Sequence, residues 1–155
     1  MKKRTSAGLL MYRIKNGAAE VLLAHPGGPY FAKKDGGHWS IPKGEPDDED
    51  LIIAAMREFN EETGLIAQGD FIPLGSIIQK GGKEVHAWAV EGDFLPGFVH
   101  TCNTVEIEWP PRSRKFIEFP EIDKIEFFTA EDAKKKIKTT QIPFIERLLE
   151  YLEAR

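Results

Sequence analysis

The chain has one cysteine, Cys102, in 155 residues. No internal disulfide can form and a cysteine-rich zinc site is excluded, so the cytoplasm is the expected compartment. Long apolar runs are also lacking. Nothing approaches the roughly 18 residues of a spanning helix, and no membrane contact is expected. The opening MKKRTSAGLLMYRI sets basic residues before apolar ones, but Arg13 and Lys15 break the apolar stretch. It reads as a first strand rather than a secretion signal. Positive charge is in deficit too: the net charge of −4 disfavours a nucleic-acid binder, which would carry a basic face. A small polyanionic substrate stays open, because divalent cations can sit between phosphates and carboxylates. With no repeat, low-complexity tract or linker, residues 1–155 are expected to form one domain with a core that needs no disulfide support.

What is present is a series of short apolar runs separated by turn residues. Strands are predicted near Ala7–Ile14, Glu20–His25, Phe71–Gln79, Glu84–Glu91, Val105–Trp109 and Ile125–Phe128. Lys80-Gly81-Gly82-Lys83 reads as a tight hairpin turn, and Trp39-Ser40-Ile41-Pro42 as a short extended piece. A first helix is predicted from about Asp48 to Thr63, capped by Asp47 or Asp48 and stopped by Gly64. A second starts near Thr129, with acids in its first turn and lysines later, which suits the helix dipole. The third covers about Pro143–Leu152, with Ile145, Leu148, Leu149 and Leu152 on one face. Strands interspersed with helices imply an α/β chain: a mixed sheet covered on both faces.

The informative stretch runs from Gly44 to Leu65. On a helix Glu58, Glu61 and Glu62 stand at i, i+3 and i+4 and share a face. Such like charges weaken an isolated helix, and bound hard cations are the natural compensation. A solvated face is the bland alternative. Ile52, Ala55, Met56 and Phe59 define the opposite, apolar stripe, which would leave the acids as an outer ridge. Arg57, eight residues after Glu49, is placed to pair with a carboxylate and stiffen the junction of loop and helix. Gly44 offers a backbone that a ligand can approach closely.

This segment resembles the Nudix box: Gly, five residues, Glu, seven residues, then Arg-Glu-hydrophobic-x-Glu-Glu-x-Gly-hydrophobic. Glu49, Arg57, Glu58, Phe59, Glu61, Glu62, Gly64 and Leu65 match its second half. The first half departs, because only four residues separate Gly44 from Glu49. Ser6-Ala7-Gly8, Val21-Leu22-Leu23, Gly37–Gly44 and Phe127-Phe128 with Glu131-Asp132-Ala133 are similar to the family's approach to the box and its closing elements. The resemblance implies an α/β/α sandwich with a mixed sheet. It implies Mg²⁺-dependent hydrolysis of a pyrophosphate bond in a nucleoside diphosphate linked to another moiety, such as a nucleoside triphosphate, dinucleoside polyphosphate or nucleotide sugar. The metal, with Mn²⁺ as an alternative, is expected on Glu58, Glu61, Glu62 and the Gly44 carbonyl, with Arg57 supporting them. The general base is Glu58 itself or a loop acid, Glu121 before Glu118. A catalytically weak nucleotide sensor or binding module is the alternative, and the shortened loop is its support.

Lys43, Arg112 and Arg114 are candidates for substrate phosphates; Arg112-Ser113-Arg114-Lys115 follows Trp109-Pro110-Pro111, a basic loop beside an aromatic. Trp88 and Trp109 read as core residues before base-stacking ones. His25, His38, His86 and His100 show no metal spacing, although His86 alternates with Val85 and Ala87 toward a cleft. Pro26-Gly27-Gly28-Pro29 reads as a plain turn, lacking the lysine and helix of a phosphate-binding loop. The expected partner is thus a small nucleotide-type substrate.

Overall fold

A computed structural model describes residues 4–155; Lys2 and Lys3 of the basic start lie outside them. Along the chain come strands β1 (Thr5–Lys15), β2 (Ala18–Pro26) and the two-residue β3 (Lys43–Gly44), then helix α1 (Leu51–Thr63). They are followed by β4 (Ile72–Ile78), β5 (Glu84–Glu91), β6 (Thr104–Glu108), β7 (Phe116–Pro120) and β8 (Ile122–Thr129). Helix α2 (Ala130–Lys136), a 3₁₀ turn at Thr139–Gln141 and α3 (Ile142–Ala154) complete it. The main sheet has the order β4-β5-β1-β2-β8, with β3 added to β1. The first strand pairs antiparallel with β2 and β3 but parallel with β5, so the sheet is mixed. The pair β6-β7 forms a separate two-stranded ribbon.

Burial on both faces explains why β1 has a continuous apolar run instead of alternation. Leu9 and Met11 pack on one face with Ala54, Ala55 and Phe59 of α1. Leu10 and Tyr12 pack on the other with Phe144, Ile145 and Leu148 of α3. Each of these fully buried side chains stabilises the fold by roughly 1.5–3 kcal/mol relative to exposure. The result is the expected α/β/α sandwich.

Three local expectations change. The first helix begins at Leu51, with Asp50 at the cap position and no capping side chain. Asp48 is in the left-handed region (φ 49), and Glu49 is turned toward the Asp47 N–H and Arg57, so neither continues a helix. Residues 116–120, expected as loop, form β7, whose exposed Phe116, Glu118 and Pro120 mask the strand pattern. Its partner β6, expected as a strand, stands in the ribbon, apart from the main sheet.

Candidate active site

Helix α1 carries the acids, but not as one outer ridge. Ala55, Phe59 and Glu62 follow at four- and three-residue spacing, so Glu62 falls on the buried stripe. It is only 8% exposed, whereas the Glu61 side chain is 39% exposed. Glu58 lies between these extremes, and its carboxyl is raised by burial against the opposing pull of Arg57, with Glu61 and Glu121 adding to the rise.

Arg57 is the hub of the junction. Its guanidinium donates to Glu49 Oε1 at 2.6 and 3.0 Å, to Glu58 at 2.9 Å, to Glu61 at 3.2 Å and to the Glu45 carbonyl at 3.2 Å. A planar fork with five donors suits this many acceptors. The pairing of Arg57 with Glu49 stiffens the entry to α1, as the spacing implied.

The loop after Gly44 is one residue shorter than the box, yet Gly44 still reaches the helix. It pairs with Ala7 in the sheet, and a Cβ there would lie 2.1 Å from the Glu58 carboxyl carbon. Only glycine leaves that space. The left-handed Asp48, an aspartate tolerating αL, turns the shortened loop.

Glu62 opens into a cleft of about 220 Å³ lined also by Lys43, Lys138, Glu121, His38 and Phe31. Burial pushes the Glu62 carboxyl up to about 8, and the charges of Glu121 and Glu58 push it the same way, against the Lys43 N–H and ammonium. Its Oε2 is buried without a hydrogen-bond partner among the described residues. Lys43 is pushed down to about 8, first by burial and then by Lys83 and Lys138. Lys138 is also lowered, by burial and by Lys83. Glu58, opposed by the charge of Glu61, and Glu62, opposed by that of Glu58 and carrying an orphaned oxygen, offer carboxylate donors that fit a hard divalent cation. Among the described residues no three acids are drawn together as a coordination shell, and Glu58 and Glu61 are bonded to Arg57.

The cleft walls are fixed from several elements. Gln141, fully buried, accepts from the Ile41 N–H at 3.0 Å and donates to Ser40 Oγ at 3.0 Å, pinning residues 40–41 beside the acids. The Lys138 N–H donates to the Trp39 carbonyl at 2.8 Å, which sets Lys138 at the rim. His25 bridges Asp123 (2.8 Å) and the Lys34 carbonyl (2.6 Å), tying down the loop that carries Phe31.

Of the residues singled out from sequence, the cleft gathers Lys43, Glu62 and Glu121, with Glu58 and Gly44 behind them. Glu121 is the single residue between β7 and β8, held by backbone bonds to Asn103 and Gly27. Glu118 is instead in β7, opposite Glu106 in the ribbon. Arg112 and Arg114 occupy the turn between the ribbon strands, both with positive φ (64 and 61), and do not line the cleft. His86 is paired with Glu84, and Trp88 packs against the α1-side core. Lys138 and Phe31 were missed. No local pattern announces them, since each reaches the cleft only through a tertiary bond network.

No curated protein gave a significant sequence match. Among solved structures, a C. elegans Ap4A hydrolase, as a binary complex, is 22% identical at TM-score 0.65, covering 98% of this chain and 99% of that one. The NUDIX domain of Shewanella oneidensis NrtR, complexed with ADP ribose, is 14% identical at TM-score 0.66, covering 98% and 90%. A mutT/nudix family protein from Listeria innocua is 18% identical at TM-score 0.65, covering 99% and 96%. At these identities the likeness is one of fold. The NUDIX domain family model matches residues 2–148, which include the acid-bearing helix, its glycine and the strands around them; the chain belongs to the Nudix family.

Proposed function

We propose that this chain hydrolyses a pyrophosphate bond in a nucleoside diphosphate linked to another moiety, with Mg²⁺ as cofactor. The observation that carries the reading is the buried Glu62 oxygen, without a partner among the described residues, in a cleft shared with Glu121 and two lysines. Glu58, Glu61, Glu62 and the Gly44 carbonyl would hold the metal, for which Glu58 and Glu61 must trade their bonds to Arg57. When bound, the cation neutralises phosphate charge and makes a water more acidic. Lys43 and Lys138 bind phosphate oxygens from the cleft rim. Glu121, whose side chain makes no hydrogen bond among the described residues, takes the proton from the attacking water. Arg57 keeps α1 and its loop in register as the acids regroup.

The test is incubation of pure protein with nucleoside triphosphates, dinucleoside polyphosphates and nucleotide sugars, with and without Mg²⁺. Metal-dependent release of phosphate, pyrophosphate or a nucleotide is expected from at least one class. Release from none would count against the enzyme. Lys138→Ala is expected to raise KM about tenfold with little change in kcat, since it removes one charge-assisted bond to bound phosphate. Steady-state kinetics on the best substrate of that panel checks this; an unchanged KM takes Lys138 out of the site.

A nucleotide sensor is the second reading, supported by the likeness to the NrtR domain complexed with ADP ribose and by the shortened loop. Calorimetric binding of a nucleotide without product over hours would favour it.

A further inference from the structure

Next to the acidic cleft, and sharing Pro26, Phe31 and Glu121 with it, lies a second cavity of about 360 Å³. One wall is the Pro26–Phe31 segment, the other the β6-β7 ribbon through Val105, Ile107 and Phe119. Glycine makes this close fit of loop and ribbon achievable. A Cβ on Gly27 would lie 2.0 Å from the Pro120 carbonyl oxygen, and one on Gly28 (φ 95) 2.5 Å from the Phe119 ring. The Gly27 N–H donates to the Glu121 carbonyl at 2.8 Å. The Pro-Gly-Gly-Pro sequence is therefore more than a turn: it lets the loop close against β7 and shapes a cavity.

Two features separate this cavity from ordinary core. Tyr30 and Val105 line it yet stay 59% and 39% exposed, so apolar surface is left open to solvent. Apart from the Tyr30 hydroxyl and the Glu121 carboxylate at its border, the lining side chains are apolar. Tyr30 is steadied by the Phe31 ring, edge-on at 4.8 Å, and by Lys34 over its face at 4.3 Å.

We propose that this cavity takes the nucleobase of the substrate by stacking and shape, without hydrogen-bond readout of the base edge, so that several bases are accepted. The proposal rests on reading the acidic cleft as the phosphate site. A sugar or second phosphate in the cavity would leave its polar groups unpaired against these walls, whereas a base has apolar faces. Stacking on aromatic rings is tolerant because every base has a π-face. Pockets that discriminate strongly do so with buried hydrogen-bonding groups, which this one lacks. Glu121, common to both cavities, marks the border between base and phosphates.

The experiment is calorimetric binding of ADP, GDP, CDP and UDP, and of inorganic tripolyphosphate as the base-free probe, with Mg²⁺ present. All four nucleotides are expected to bind more tightly than tripolyphosphate and within about tenfold of one another. Val105→Trp, which fills the cavity from an exposed position, is expected to weaken all four by about 5- to 150-fold. Tripolyphosphate affinity should stay within about twofold. Tyr30→Ala should act in the same direction. Preference for one base by more than about a hundredfold would overturn the proposal. So would equal loss of tripolyphosphate binding in Val105→Trp, or nucleotide affinity left unchanged by that variant. Absence of hydrolysis with these affinities intact would sink the enzyme reading while bearing this one out.

Discussion

Glu62→Gln is expected to lower kcat/KM by at least about a hundredfold and, without metal, to raise the midpoint of thermal unfolding. On the proposed mechanism the first effect follows from loss of a charged metal ligand worth several kcal/mol of transition-state charge stabilisation. The second follows from burial. Wild-type Glu62 is 8% exposed, its Oε2 has no hydrogen-bond partner among the described residues, and Glu121 and Glu58 repel its charge. The sign can be followed through pH. Its folded pKa of about 8 stands above the ordinary 4.5. The neutral carboxyl therefore contributes stability in full below about 4.5, and this is lost as pH rises through 8. Glu58, also raised, adds in the same direction. Lys43, with a folded value of about 8 against an ordinary 10.5, acts mainly above that window. Metal-free wild type should thus lose stability between about pH 4.5 and 8, and Glu62→Gln should lose less, because an amide does not titrate. Scanning calorimetry across that range checks this, and Mg²⁺ should raise the wild-type midpoint far more than the variant's. Retained activity in Glu62→Gln would remove this carboxylate from the mechanism; matching pH curves would remove the burial argument.

The second large effect separates the candidate bases. Glu121→Gln is expected to depress kcat by about 10²–10⁴-fold at neutral pH, leaving KM and metal affinity nearly unchanged. Loss of an interaction made mainly in the transition state has that signature. The geometry favours Glu121 because its side chain makes no hydrogen bond among the described residues, whereas Glu58 already accepts a 2.9 Å bond from Arg57. Glu58→Gln should instead weaken metal binding together with turnover. A near-normal Glu121→Gln enzyme, with Glu58→Gln losing only kcat, would transfer the base to the helix. The pH–rate profile adds an independent check, since its acidic limb should vanish only in the variant that lacks the base.

The helix was legible because its information is local. The apolar spacing from Ala55 to Phe59 is set by periodicity and the stop at Gly64 by its left-handed backbone, while Arg57 stands close enough in sequence to Glu49 to pair with it across the loop–helix junction. The same periodicity also contained a missed detail: Glu62 stands three residues beyond Phe59, on the buried stripe. Reading the acids as a group, rather than one by one around the helix, hid it. The ribbon strand β7 was not legible, because Glu118 and Pro120 give it the composition of a loop and its pairing with β6 spans a turn of basic residues. Arg112 and Arg114 were weighed for phosphate contact as part of a basic loop beside an aromatic. They fall in the turn between β6 and β7 and do not line the cleft, a placement that depends on pairing rather than on residue type.

The sequence by itself determined the family, the sandwich and the acids on α1. These follow from residue spacing along a helix and from apolar runs that demand burial on both faces of a sheet. The tertiary structure alone decided that Lys138 and Glu121 meet Glu62 in one cleft, and that Tyr30, Phe119 and Val105 enclose a second cavity beside it. The physical reason is that such neighbours come together through long-range backbone bonds, from Lys138 to Trp39 and from Gly27 to Glu121, and no local preference encodes the partner of a hydrogen bond a hundred residues away.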